Sequence, residues 1–206
     1  MKKLFVFLGV LAMSAGVVFA QNNSVSIQQV SDGNEASVDQ VGTNHTASVD
    51  QEGLDGTAAG EAHFASIDQR GLDGDGSGDN NSAEVIQTPS PFSNPVFHTT
   101  MINQWGDDNT AYVEQQGNQA GNHAYIDQNG INNKSGVYQI HGNMFSSDQR
   151  GNNNTVEGVP GGGAYGTERE DIAWQQGGSA SGAQYVMDFY QEGNNNLIQA
   201  LQQRSV

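Results

Sequence analysis

Residues 109–115 read NTAYVEQ, and every second position belongs to one set: Asn109, Ala111, Val113 and Gln115. A period of two is the strand period, so these four side chains share one face. Thr110, Tyr112 and Glu114 take the other face and suit solvent. The next residues bring a Gly, Gly117, whose backbone freedom suits a sharp reversal. One unit is thus a strand of about seven residues and a turn of about four.

The unit recurs. Glutamines stand at 29, 40, 51, 69, 87, 104, 115, 128, 139, 149, 175, 191 and 202, with steps of eleven at 29→40, 40→51, 104→115, 128→139 and 191→202. Within the tight units the pattern is Q-x-G-x-x-N-x-A-x-[VI]-x-Q. Gln104–Gln115 fits it throughout, Gln29–Gln40 has Ser31 for Gly, and Gln128–Gln139 has Ser135 for Ala. Gln191–Gln202 keeps Gly193 and Asn196, with Ile198 and Ala200 in the apolar slots. The inward residues expected from this pattern are Asn34, Ala36, Val38 and Gln40 in one strand and Asn109, Ala111, Val113 and Gln115 in another. Ile126 with Gln128, then Asn133, Ser135, Val137 and Gln139, and finally Asn196 with Gln202, complete the set.

An inward Gln left unsatisfied costs about 1–3 kcal/mol. A column of Gln at the 4.7–4.8 Å strand spacing removes that cost, because each amide donates to the carbonyl of the next copy. The same is expected of an Asn column. The pattern therefore predicts an all-β solenoid in which two eleven-residue units make one coil. Val/Ile and Ala fill the middle, and Gln and Asn ladders close the rims.

The regularity is interrupted near 54–63, 71–82, 88–100 and 157–171. These inserts are expected as loops at coil corners, because a strand in a ladder cannot absorb extra residues. Thr88–Pro95, TPSPFSNP, is expected outside any central strand, since its prolines lack donors.

This pattern resembles the curlin repeat of the curli family, most closely over Ser24–Gly53, Met101–Thr155 and Ala183–Gln202. The resemblance implies a subunit of an extracellular amyloid fibre that associates with itself, with other curli-type subunits and with a secretion pore. It also implies a role in biofilm matrix and surface adhesion.

Residues 1–20 read as a secretory signal: Lys2 and Lys3, an apolar run, then Val18-Phe19-Ala20. The expected mature solenoid spans residues 21–206, secreted and carried on a cell-surface fibre. Without Lys2 and Lys3 the chain has five basic and 23 acidic residues, a net charge of −18. That charge argues against a nucleic-acid partner and against an anionic membrane surface. No later stretch is apolar enough for membrane insertion. There is no Cys, so disulfides contribute nothing.

Other chemistry changes the picture little. Asp73–Glu84 matches a twelve-residue calcium loop at Asp73, Asp75, Ser77, Gly78, Asp79, Asn81 and Glu84. Asn80 stands where an aliphatic is usual, and neither flank reads as helical. Asp73, Asp75, Ser77, Asp79 and Glu84 are a weak calcium candidate, and a solvated acidic loop is the plainer reading. A monomeric calcium-dependent adhesin on a short solenoid is the alternative function. The five histidines lack metal-site spacing. No nucleophile, phosphate loop or acid–base pair stands out, so neither an enzyme nor a cofactor is expected. Tyr112, Tyr125 and Tyr138 are expected on the outward face. Asp39, Asp50, Asp68, Glu114, Asp127 and Asp148 each precede a ladder Gln, and stacking is expected to crowd them.

Overall fold

A computed structural model describes residues 22–30, 33–52, 63–71, 79–89, 97–117, 121–140, 142–157, 173–176 and 186–203. The expected signal at 1–20 lies outside them. In chain order the strands are β1 (Ser24–Val30), β2 (Glu35–Val41), β3 (Thr46–Glu52), β4 (Phe64–Arg70) and β5 (Ser82–Pro89). Next come β6 (Thr99–Asp107), β7 (Thr110–Gly117), β8 (His123–Ile131), β9 (Lys134–Ile140) and β10 (Met144–Arg150). The last are β11 (Thr155–Glu157), β12 (Ala173–Gln176), β13 (Val186–Glu192), β14 (Leu197–Gln199) and β15 (Leu201–Gln203). No described residue is helical.

The fold is the expected all-β solenoid. One parallel sheet runs β1-β3-β5-β7-β9-β11-β14, with β12 and β15 beside its end, and the other runs β2-β4-β6-β8-β10-β13. From β1 to β11 successive strands alternate between the sheets, so each coil holds one strand of each; β12 joins β11 and β15 joins β14 in the first sheet. Ladder Gln pairs with ladder Gln in every full strand, as in Gln87↔Gln115↔Gln139 and Gln104↔Gln128↔Gln149. A slip of one residue would turn Val113 and Gln115 to solvent, which fixes the register.

The core is a thin double layer. Val49, Val85, Val113 and Val137 line one sheet, and Ile67, Ile102 and Ile126 line the other, all at most 1% exposed. Ala47, Ala65, Ala83, Ala111 and Ala124 sit beside them. Coil five departs from this pattern. Phe145 occupies the slot that is Ala124 in β8, and Ser147 occupies the slot of Ile126. The bulky and small residues have exchanged places, and Phe145 packs edge-on to Phe189 at 5.9 Å.

Residues 53–62, 72–78, 90–96 and 158–172, the centres of the expected inserts, lie outside the described residues. Val156 pairs with Ser135 and Ala173 pairs with Val137, so β11 and β12 occupy successive parts of one strand position beside β9. Strands also reach into the expected insert bounds at Ser82, Thr99 and Thr100, and β5 takes in Thr88 and Pro89. Pro89 is acceptable there because it ends the strand.

Candidate assembly site

The inward glutamines form two continuous ladders. In the first sheet Nε2 of Gln29 donates to Oε1 of Gln51 (2.7 Å), Gln51 to Gln87 (2.8 Å), Gln87 to Gln115 (2.9 Å) and Gln115 to Gln139 (3.0 Å). In the second, Gln40 donates to Gln69, Gln69 to Gln104, Gln104 to Gln128, Gln128 to Gln149 and Gln149 to Gln191, at 2.7–2.9 Å. Gln175 and Gln202 pair in register with Gln139 along the first sheet. Each of these ladder bonds runs the same way, from an earlier coil to a later one.

The second N–H of each amide does something the pattern did not reveal. Gln115 donates to the Thr99 carbonyl, Gln128 to Thr110, Gln139 to His123 and Gln149 to Lys134, at 3.0–3.2 Å. Each acceptor begins the facing strand, so each of these glutamines also ties the two sheets together. Gln51, Gln69, Gln87, Gln104, Gln115, Gln128 and Gln149 are fully buried with both donors used. That removes the penalty for a buried amide.

The Asn column combines side-chain-to-backbone bonds with the expected amide-to-amide ones. Oδ1 of Asn81 accepts the backbone N–H of Asn109, Oδ1 of Asn109 that of Asn133, and Oδ1 of Asn133 that of Asn154, at 2.9–3.0 Å. Nδ2 of Asn109, Asn133 and Asn154 donates to the carbonyls of Gly130, Gly151 and Gly193. Asn196 continues the column on Asn154, and Asn34 opens the other one, accepting the His63 N–H at 3.1 Å. Amide-to-amide bonds run beside these, from Nδ2 of Asn133 to Oδ1 of Asn109 at 3.2 Å and from Nδ2 of Asn196 to Oδ1 of Asn154 at 3.0 Å.

Three histidines take Asn positions. His45, His63 and His98 are at most 1% exposed and precede β3, β4 and β6. Nδ1 of His45 accepts the Asn81 N–H, Nδ1 of His63 the His98 N–H, and Nδ1 of His98 the Asn122 N–H. Imidazole Nδ1 therefore stands in for amide Oδ1, and the His63 and His98 rings stack at 4.9 Å. Burial and the neighbouring His63 lower the His98 pKa to about 3, against a smaller opposing contribution from the Thr88 backbone. The signal was legible: counting six residues back from Gln51, Gln69 and Gln104 lands on these histidines.

Two kinds of corner join the sheets. The corner from the second sheet to the first carries a left-handed Asn or Asp before the column residue: Asn44, Asn80, Asp108, Asn132, Asn153 and Asn195, with φ between 28° and 60°. Asn and Asp tolerate that region better than other side chains. It also carries a glycine column. A Cβ on Gly106 would lie 2.1 Å from the Gly130 carbonyl oxygen, one on Gly130 2.0 Å from that of Gly151, and one on Gly151 2.1 Å from that of Gly193. At Gly193 the nearest atom is 3.8 Å away, since no further corner follows.

The outer faces differ from expectation. Tyr112 and Tyr138 are only 7% exposed and form a second apolar cluster with Ile86 and Ile140. Tyr138 lies in a different row from Tyr112, because Tyr112 pairs with Gly136 and Tyr138 with Glu114. Tyr125 alone of the three is exposed. The crowding of acids is relieved only in part, since Asp39 pairs directly with Asp68 and Asp127 with Asp148. Asn103 separates Asp68 from Asp127 in their row, Ile86 separates Asp50 from Glu114, and Arg70 and Arg150 pair with Asp68 and Asp148 at 2.9 and 3.1 Å. Asp127 is half-buried, and burial first, then Asp148, raises its pKa.

Of the calcium candidate, Asp73, Asp75 and Ser77 lie outside the described residues. Asp79 is buried at a corner, where its Oδ2 accepts the Thr43 N–H at 2.8 Å. Glu84 is exposed on the outer face inside β5, in a row with Ser48 and Tyr112. Among the described residues no group of three metal-ligating side chains converges.

Among the described residues nothing covers either end of the stack. β1 is exposed along its whole length, with Val25 at 50% and Ile27 at 44%. At the other end Val186, Leu197 and Leu201 are 58%, 58% and 38% exposed. The model of the curlin associated repeat matches residues 20–53, which span β1 through β3. Neither curated proteins nor solved structures yield a match to this chain.

Proposed function

We propose that this chain, a curlin-repeat protein, is the structural subunit of an extracellular curli-like fibre built by end-to-end stacking of solenoids. The observation that carries the reading is the direction of the glutamine ladders. Amide N–H groups point toward later coils throughout, so the first coil offers Oε1 of Gln29 and Gln40 as acceptors. The last coil offers an amide N–H at Gln191, whose other N–H meets the Thr155 carbonyl. Stacking head to tail joins donor to acceptor, whereas head-to-head stacking opposes carbonyls. Continuing the register sets Ile198 over Val25, Ala200 over Ile27, Met187 over Ala36 and Phe189 over Val38 of the next copy. Open strand edges with apolar inward residues template such addition. Export through a pore, partner subunits and a place in biofilm matrix belong to the same reading.

The test is to incubate residues 21–206 in EDTA, follow Thioflavin T binding, and record fibre diffraction. Seeded growth in EDTA with reflections near 4.7 and 10 Å is expected. A chain that stays monomeric, or that needs calcium to fold, overturns the reading in favour of the adhesin.

A further inference from the structure

We propose that the outer face of the second sheet carries a binding site for a neutral sugar ring, built around Trp105. Trp105 is 51% exposed although it stands in a row otherwise made of Val41, Arg70, Asn129, Arg150 and Glu192. A depression of about 190 Å³ opens beside it, lined by Asp68, Asn103, Trp105, Asp127 and Asn129. The parallel register fixes this arrangement. Asp68, Asn103 and Asp127 are consecutive members of one row, and Trp105 and Asn129 of the row two residues on. All five project from paired strands, so the site is rigid before any ligand arrives.

The chemistry of the lining narrows the ligand. An anion is disfavoured by Asp68 and Asp127. A lipid or other apolar ligand would meet one aromatic ring among four polar groups. A further cation is disfavoured because Asp68, the carboxylate it would use, already accepts from Arg70 at 2.9 Å; the Arg70 guanidinium lies 6.0 Å from the Trp105 ring but does not line the depression. A hydroxylated ring fits what remains. Its C–H face lies on the indole, and its hydroxyls meet carboxylate acceptors and amide groups on both sides. Asp127 is half-buried and accepts from the Tyr125 hydroxyl at 3.2 Å, and Asn103 donates to that same hydroxyl at 3.3 Å. The acceptor side of the site is therefore held in place. In a fibre the site would recur once per subunit, and a polysaccharide strand touching several copies would gain by avidity.

The site lies in the middle of the stack, so the test does not depend on assembly. The variant Trp174→Phe leaves Trp105 as the only indole. Its fluorescence is titrated with maltohexaose, cellohexaose and laminarihexaose, with calorimetry on the native chain in parallel. At least one hexasaccharide is expected to shift the emission saturably. Trp105→Ala is expected to weaken that binding at least tenfold and Asp127→Ala at least threefold. Trp105→Tyr should retain most of it, and Glu52→Ala on the other sheet should change nothing. Unchanged circular dichroism of Trp105→Ala separates lost binding from lost fold. Silence with all three sugars overturns the proposal. So does saturable binding of tetramethylammonium in their place, or wild-type affinity in Trp105→Ala.

Discussion

At the scale of the residue, two amides one position apart have opposite fates. Gln115 is fully buried, donates to Gln139 and to the Thr99 carbonyl, and accepts from Gln87 and the Thr100 hydroxyl. Gln116 faces solvent and accepts from the Tyr138 hydroxyl. Gln115→Ala strands partners on both sides, each worth about 1–3 kcal/mol when buried and unmet. It is expected to cost roughly 2–4 kcal/mol in urea unfolding, against less than about 1 kcal/mol for Gln116→Ala. Equal midpoints for the two variants would show that the inward ladder does not hold the fold. Gly130 is constrained twice, by φ of +136° and by the Gly151 carbonyl oxygen 2.0 Å from where a Cβ would stand. Gly130→Ala must move one corner against the next, so a loss of at least about 2 kcal/mol is expected in the same assay.

At the scale of the element, a strand and a corner each make a prediction. In β10 the bulky and small core residues have exchanged slots, and the buried Ser147 hydroxyl oxygen has no hydrogen-bond partner. Phe145→Ala alone leaves a cavity and is expected to cost about 3–5 kcal/mol. Adding Ser147→Ile restores the Ala/Ile arrangement of β4 and β8, so the double variant should recover more than half of that loss. Additive effects of the two changes would show that the slots are not coupled. At the corner before β6, His98 must be neutral, because its Nδ1 accepts the Asn122 N–H. Its folded pKa is lowered to about 3 while the unfolded value stays near 6.5. The unfolded chain thus binds more protons between these values, and stability falls as pH drops through that window. At pH 4.5 the loss from this group is about 2–3 kcal/mol relative to pH 7.5. His98→Asn keeps an acceptor in the slot and removes the titration. Its urea midpoint should change less between pH 7.5 and 4.5 than that of the native chain, and an identical change would refute the assignment.

At the scale of the whole molecule, the glycine column separates folding from growth. Gly130 and Gly193 hold the same corner position with positive φ, but only Gly130 has a coil above it. Gly193→Ala is expected to cost the soluble chain about 1 kcal/mol of backbone strain, less than Gly130→Ala. In a head-to-tail stack its Cβ would meet the Gly42 corner of the next copy, as Gly151 meets Gly193 within the chain. Seeded elongation of Gly193→Ala is therefore expected to slow at least tenfold while its urea midpoint stays near that of the native chain. Elongation at the native rate would remove the corner-on-corner joint from the proposed fibre.

The sequence by itself determined the period, the face and the stacking. A two-residue alternation ending in Gln, repeated at eleven, has few solutions that satisfy buried amides, and parallel in-register coils are the one found here. It also held the histidine positions, which lie six residues before their glutamines. Only the tertiary structure decided what each amide meets. The second Gln donor crosses to the facing strand, and the Asn reaches backbone as well as the neighbouring amide. Both depend on the distance between sheets and on the shape of the corners, which no spacing encodes. The structure likewise decided that β11 and β12 share one strand position beside β9. It decided that Tyr112 and Tyr138 are covered and that only some of the acids are separated. Those outcomes turn on which residues of distant units become neighbours: Gly136 beside Tyr112, Asn103 between two aspartates, Arg70 beside Asp68 and Trp105. A repeat fixes the columns, and the departures from the repeat acquire meaning only when the columns are assembled.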